Sequence, residues 1–343
     1  MGWFKELLGT VAGSAPNDLT FVSHIQKPGA VAQPIVADDV YIELFVDSLR
    51  IDKARSFATR FHGIVYCFGS LARLAEEDAS FASVTKPDKL AELDKDSVGK
   101  VMTITKRMMG PLPWRGGNFE LQLGLFSVKS GNVLTPLLNF VTKVSDAAGI
   151  SFVSVARPFL PLISEGMDLI AGQTADTKLV VGVDISMQPQ ETVTCAVIAR
   201  KKEEIDTSAL AIDPADGKLL LGGAPLDAAY CVFSIRATER KSDWGEIPEL
   251  KESYAALRKV LNGGKADEAE EAFLVFKRKL LTSPDLIGKD ADQLVAKARA
   301  LVDALFAPDP RIIERGQGAP QLRARGDVEI PSDFAALDLY GFR

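Results

Sequence analysis

Side chains that commonly perform chemistry are scarce in this sequence. Two histidines, His24 and His62, and three cysteines, Cys67, Cys195 and Cys231, occur among 343 residues. Most general bases, metal ligands and activated nucleophiles in proteins come from these two residue types. No two of the five stand at a spacing typical of a metal site or of a nucleophile paired with a base. The sequence therefore predicts no catalytic residue, no metal ligand and no cofactor, and it favours a non-enzymatic role.

The nearest match to a catalytic motif is an SxxK pattern at Ser83-Val84-Thr85-Lys86. In enzymes with this pattern the serine is the nucleophile, and the serine and lysine must share one helical turn. Pro87 disfavours helical backbone at the lysine before it, so we interpret the match as a coincidence. The cysteines lie in apolar, strand-like stretches, which is typical of small buried hydrophobic residues. A hydrolase with a Ser/Asp/Lys site assembled from distant strands remains an alternative.

Overall charge and composition narrow the classes of partner. The net charge is −6 and the pI is about 5.2, so the chain lacks the basic balance that phosphate backbones attract, and nucleic acid is an unlikely partner. An odd number of scattered cysteines favours a reducing, cytoplasmic compartment over a disulfide-bonded secreted domain. The first residues lack the charge pattern of a secretion signal, and no stretch of about 20 uncharged apolar residues occurs. We therefore expect no secretion signal and no membrane-spanning helix.

Alternating apolar and polar residues dominate residues 17–246 and predict antiparallel strands with one wet face. The clearest alternation occurs at residues 40–46, 119–125, 179–185 and 231–235. The alternation slips after Val46 and after Leu125, as a β-bulge would cause. Asp213-Pro214-Ala215-Asp216-Gly217 has the residues of a hairpin loop. We predict a β-sandwich-like domain here, interrupted by an apolar helical hairpin at residues 132–172.

Helical periodicity replaces the alternation from residue 247 onward. Three apolar stripes fit helices, at Leu250, Tyr254, Leu257 and Leu261, then Ala269, Phe273, Phe276 and Leu280, then Leu294, Ala298, Leu301 and Leu305. Pro248 is placed to begin the first helix, and Ser283-Pro284 to cap and begin the third. We predict a small three-helix bundle over 247–306, and hence an α+β fold for the chain.

Apolar segments near both ends of the chain are the strongest candidates for binding. Residues 1–16 contain a short amphipathic helix pattern, and residues 307–343 read as an extended tail with an apolar end. That end could dock on another chain or fold back on its own chain. A Trp–Arg pair beside a glycine turn is a further candidate, because exposed pairs of this kind are common in interfaces. The candidate interaction residues are Trp3, Phe4, Leu7, Leu8, Trp114, Arg115, Phe334, Leu337, Leu339, Tyr340 and Phe342.

These observations favour a non-enzymatic protein–protein interaction protein, such as a scaffold or regulatory subunit of a cytoplasmic assembly. Its expected partners are other protein chains, including further copies of itself. The principal alternative is a peripheral membrane-binding or membrane-perturbing protein that uses residues 1–12 and 130–172.

Overall fold

The chain divides into two compact units, Met1–Thr238 and Glu239–Arg343. The computed structural model describes residues 19–29, 31–51, 55–56, 59–71, 79–84, 102–129, 177–306 and 328–341. The predicted N-terminal segment at 1–16 and the predicted helical hairpin at 132–172 lie outside these residues, so both stay predictions. The domain boundaries drawn from the sequence also stay predictions.

Thirteen strands are described in the first unit. They are β1 (Thr20–Val22), β2 (Tyr41–Arg50), β3 (Arg55–Ser56), β4 (Thr59–Leu71), β5 (Ala79–Val84), β6 (Met102–Pro113), β7 (Phe119–Lys129), β8 (Thr177–Met187), β9 (Val193–Ile198), β10 (Leu210–Ile212), β11 (Leu219–Leu221), β12 (Ala224–Pro225) and β13 (Tyr230–Thr238). The first sheet has the order β1-β9-β13-β2-β6, and its paired strands are antiparallel. The second has the order β3-β4-β7-β8, with β5 also paired to β4. The third is the small antiparallel sheet β10-β11-β12.

The two larger sheets share one hydrophobic core. Leu44 and Val46 of the first sheet and Leu121 and Leu123 of the second are fully buried members of the same cluster. A methyl group placed on Gly63 of β4 would lie 3.3 Å from Cδ1 of Leu49 on β2, so these strands approach closely. Burial of apolar surface in this shared core is the main force that stabilises it.

Both predicted slips in the strand pattern are present. In β2, Asp47 is an extra residue, because Val46 and Ser48 pair with consecutive residues of β13. The pairing of β7 with β8 also shifts, between Leu125 and Phe126. Val46 and Leu49 are three positions apart and would face opposite sides of a regular strand. Because of the extra residue, both are buried on the core side.

The third sheet forms the predicted hairpin and a smaller core. The chain turns at residues 213–217, where Gly217 takes a φ of 67°, a backbone conformation that favours glycine. Ile212 and Leu219 pack in a cluster with Val232 of β13. On β13, the residues that do not face the main core are therefore buried in this smaller core. This explains why the strand is apolar on both faces.

The second unit contains three α-helices within the described residues: α1 (Pro248–Gly263), α2 (Ala266–Leu281) and α3 (Gly288–Phe306). The first two predicted stripes are confirmed, because all eight of their residues are buried. In the third stripe Val302 is buried instead of Leu301. The predicted start of the third helix at Ser283-Pro284 is wrong. The helix begins at Gly288. The hydroxyl of Ser283 accepts a hydrogen bond from the backbone N–H of Asp285 at 3.3 Å, so Ser283 stabilises a turn before the helix.

Three helices and several antiparallel sheets confirm the predicted α+β class. None of the helices in the described parts of the chain is long and apolar enough to cross a bilayer.

Gly110 of β6 provides a test of the close strand packing in the first sheet. We expect Gly110→Ala to destabilise the protein by about 3 kcal/mol or more, because φ is +90° and the added methyl would lie 2.3 Å from the carbonyl oxygen of Ile42. Gly222→Ala is the matched control, since its φ is +59° and nothing lies within 4 Å of an added methyl. It should cost only about 1–2 kcal/mol. Urea unfolding of both variants measures the difference, and equal losses would contradict the packing described.

Candidate functional site: the C-terminal segment and its receptor surface

The three cysteines, the residues most suited to nucleophilic chemistry, are all buried. Cys67, Cys195 and Cys231 are free thiols in the interior of the first unit. Burial raises the pKa of all three thiols, to about 12 for Cys195, where the backbone N–H of His24 acts in the opposite direction. Thiols held protonated are poor nucleophiles. His62 lies in β4, and no group of three or more His, Cys, Asp or Glu residues suited to a metal occurs among the described residues.

The predicted Trp114–Arg115 pair has two different environments. Trp114 is 4% exposed and belongs to the core of the first unit. Its backbone N–H donates a hydrogen bond to the carbonyl of Val40, and its own carbonyl accepts one from the backbone N–H of Asp38. The side chain of Arg115 is partly exposed and forms an ion pair with the carboxylate of Asp38. Trp114 therefore closes an edge of the core, and Arg115 is the member of the pair that faces solvent.

The most elaborate arrangement of predicted interaction residues involves residues 328–341, here called the C-terminal segment. It contains a single 3-10 turn at Ala335–Leu337. Just before the turn, Oδ1 of Asp333 accepts the backbone N–H of Ala336 at 2.8 Å. Phe334, Leu337 and Leu339 of this segment are all buried. Trp3, Phe4, Leu7, Leu8 and Phe342 lie outside the described residues.

Phe334 occupies an aromatic pocket in the second unit. Its ring lies 5.0 Å from the ring of Trp244, 6.1 Å from Tyr254 of α1 and 6.0 Å from Phe276 of α2, measured between centroids. The contacts with Trp244 and Phe276 are edge-to-face. This orientation stabilises an aromatic pair by more than the burial of its apolar area alone. Phe334 is 1% exposed. We call the surface around this pocket, formed by residues 239–247 and helices α1 to α3, the receptor surface.

Gly245 brings the backbone of the receptor surface close to the C-terminal segment. A methyl group at Gly245 would lie 2.5 Å from Cβ of Ala335 and 3.0 Å from its Cα. Only a residue without a side chain fits opposite Ala335 at this distance. The two 3-10 turns, Trp244–Glu246 and Ala335–Leu337, therefore pack with almost no space between them.

Hydrogen bonds fix the position of the segment along the receptor surface. The hydroxyl of Tyr340 donates to Oδ2 of Asp290 at 2.6 Å and accepts the backbone N–H of Lys241 at 2.8 Å. The hydroxyl of Tyr254 donates to the carbonyl of Pro331 at 3.0 Å, and the ammonium of Lys297 donates to the carbonyl of Asp338. Each bond satisfies a polar group beside a buried apolar contact, where an unpaired group would be costly.

Two charged residues beneath the segment are buried. Lys241 is fully buried, with its ammonium 3.3 Å from Oδ1 of Asp243, and Asp290 is 1% exposed. Burial of charge is tolerated where opposite charges and hydrogen bonds surround it. Lys241, Asp290 and Gly245 have no local signal in the sequence, because their roles depend on residues 50 to 99 positions away. Trp244, an aromatic residue among charged ones, is the one local indication of a site here.

The segment therefore takes the second of the two arrangements that the sequence left open, and folds back on its own chain. Phe334 and Tyr340 make the contacts described above within the second unit, and Leu337 and Leu339 are buried. Docking of these residues on another chain is not tested by this arrangement and stays a prediction.

The contact between Gly245 and Ala335 is testable with a double-mutant cycle. We expect Gly245→Ala to destabilise the docked segment by about 1–3 kcal/mol through overpacking. Ala335→Gly removes the opposing methyl, so the double variant should recover about 1 kcal/mol or more of that loss. Gly263→Ala is the control, because nothing lies within 4 Å of a methyl there. Hydrogen exchange of the segment measures each value, and strictly additive effects would contradict the contact.

The hydroxyl of Tyr254 gives the docked segment a pH dependence. Burial raises the pKa of Tyr254 to about 12, above its ordinary value of 10. The folded state therefore keeps a proton that the unfolded state loses, and the contribution to stability is complete below pH 10 and is lost between about pH 10 and 12. We expect the stability of the segment to fall with pH in this window, and Tyr254→Phe to show a shallower fall. Hydrogen exchange, corrected for its intrinsic pH dependence, measures both slopes, and identical slopes would refute the assignment.

Comparisons with protein-family models, with curated proteins and with solved structures gave no match. What this chain does must therefore be inferred from its own residues and contacts.

Proposed function

We propose that this chain is a non-enzymatic interaction protein, a scaffold or regulatory subunit of a cytoplasmic assembly, and that the C-terminal segment is its docking element. One observation carries this proposal. The segment inserts an aromatic anchor, Phe334, into a pocket whose walls come from residues far away in sequence. A short segment with a buried aromatic anchor and flanking hydrogen bonds is how many linear motifs bind their receptors.

The finer architecture that we propose supports this role. The two large sheets of the first unit form a β-sandwich-like body, as their common core and the approach of Gly63 to Leu49 suggest. Helices α1 to α3 form a small bundle, since α2 packs against both of the others. On this proposal the second unit carries the receptor surface.

Docking within one chain and docking between chains use the same contacts. The chain from Phe306 to Val328 links α3 to the segment, so binding of the segment to its own receptor surface is intramolecular and is favoured over binding of a free peptide. A segment from another copy, or a similar peptide from a partner, binds only by displacing it. If two copies of the chain exchanged their C-terminal segments, the exchange would join the two copies, as in domain swapping.

A peptide of residues 328–341 added to the full-length protein tests the proposal. The wild-type protein should bind a fluorescent form of this peptide weakly, because its own segment competes. The full-length Phe334→Ala variant should bind the wild-type peptide at least about tenfold more tightly, because loss of a buried phenylalanine weakens its own segment by about 3–5 kcal/mol. Fluorescence anisotropy measures both affinities.

Two controls make the result specific. A peptide carrying Phe334→Ala should bind neither protein, and the Leu274→Ala protein, altered at an exposed leucine of α2, should behave as wild type. Circular dichroism checks that the Phe334→Ala protein keeps its helices. The proposal fails if this folded variant binds the wild-type peptide no better than wild type does. Leu339→Ala, which weakens a second buried contact, is the substitute if Phe334→Ala unfolds the unit.

A further inference from the structure

A cavity of about 300 Å³ lies between helix α1 and the C-terminal segment. Its walls include Lys251, Arg258 and Lys259 from the helix and Ser332 and Asp333 from the segment. A single bound water needs only about 10–15 Å³, so the cavity has room for a larger polar group. Residues 251, 258 and 259 are seven and eight positions apart, which places them on one face of the helix.

The charges around this cavity are unbalanced. Three cationic side chains line it against one carboxylate, that of Asp333, and Oδ1 of this carboxylate already accepts the N–H of Ala336. Lys251 pairs with Glu246 at 2.8 Å, but both side chains are well exposed, and an exposed pair of this kind contributes little.

Arg258 and Lys259 are the cations with the least compensation. In the parts of the chain that the structure describes, neither side chain has an ion-pair or hydrogen-bond partner. The Nε of Arg258 is also buried from solvent. A buried guanidinium donor without an acceptor is costly, and an anion in the cavity would remove that cost.

We propose that this cavity binds a phosphate group. A phosphate has a charge of about −1.5 to −2 near neutral pH and several acceptor oxygens. It therefore suits one guanidinium fork and two ammonium groups better than a single carboxylate would. Two sources have this chemistry: a free or ligand-borne phosphate, and a phosphate attached to Ser332, which is exposed and lines the cavity.

Phosphate binding and docking of the segment are linked, because the cavity exists only when residues 332 and 333 lie against α1. The ligand therefore stabilises the docked state by mass action and, reciprocally, docking raises the affinity for the ligand. This inference adds a regulator to the proposed function and rests on it for its biological meaning. The binding site itself depends only on the docked segment.

Hydrogen exchange of residues 328–341 in the full-length protein is the test. Inorganic phosphate, compared with chloride at equal ionic strength, should slow exchange of the segment about tenfold at a concentration of about ten times its dissociation constant. Arg258→Gln should weaken phosphate binding at least about tenfold. Arg278→Gln, which removes an exposed cation from α2, is the matched control and should leave the protection unchanged.

A second arm distinguishes the two sources of phosphate. Ser332→Glu, a mimic of the modified serine, should slow exchange without added phosphate if the source is covalent, and Arg258→Gln in the same chain should abolish that effect. Protection by inorganic phosphate in the wild type alone identifies a free ligand. The proposal is overturned if neither phosphate nor Ser332→Glu protects the segment, or if Arg258→Gln and Arg278→Gln respond alike.

Failure of this site and failure of the proposed function give different results. The peptide displacement experiment is performed without phosphate and depends on Phe334. Successful displacement with no phosphate protection would refute the phosphate site only. Phosphate protection with no displacement would refute docking between chains only.

Discussion

Burial of the Phe334 ring is the interaction on which docking of the C-terminal segment depends. Trp244, Tyr254 and Phe276 surround this ring, and they come from a turn and two different helices. Tyr254 and Phe276 also contact each other at 5.7 Å, so the pocket has its own internal contact. The hydrogen bonds of Tyr340 and Tyr254 then fix the direction in which the segment runs. Apolar burial supplies the energy, and these polar contacts select one register.

Much of the fold follows from periodicity in the sequence. Alternation identified β2, β7, β8 and β13. The phase slip after Val46 indicated a β-bulge, which lies at Asp47, because a change of phase in a half-buried strand requires an extra residue. The helical stripes of α1 and α2 were equally clear. These features are local, since a side chain's position on its own strand or helix determines which face it occupies. The start of α3 was missed because Ser283 caps a turn as readily as a helix.

The site was less predictable for a physical reason. An apolar stretch such as Phe334 to Leu339 has the same sequence whether it binds its own chain or another one, so its composition alone cannot select a partner. Gly245 and Lys241 have roles only in the presence of Ala335 and Tyr340, which are about 90 and 100 residues away. Arg258 is one of several cations in the helical part of the sequence, and only its position beside the segment distinguishes it.

The order of these elements along the chain has a consequence for synthesis on the ribosome. Helices α1 to α3 are translated before Phe334, which follows the end of α3 by 28 residues. At about 5–20 residues per second, the aromatic pocket has no cognate ring to fill it for roughly one to six seconds after α3 is made. The contacts of Phe334 with the pocket can therefore form only after all three helices have been translated.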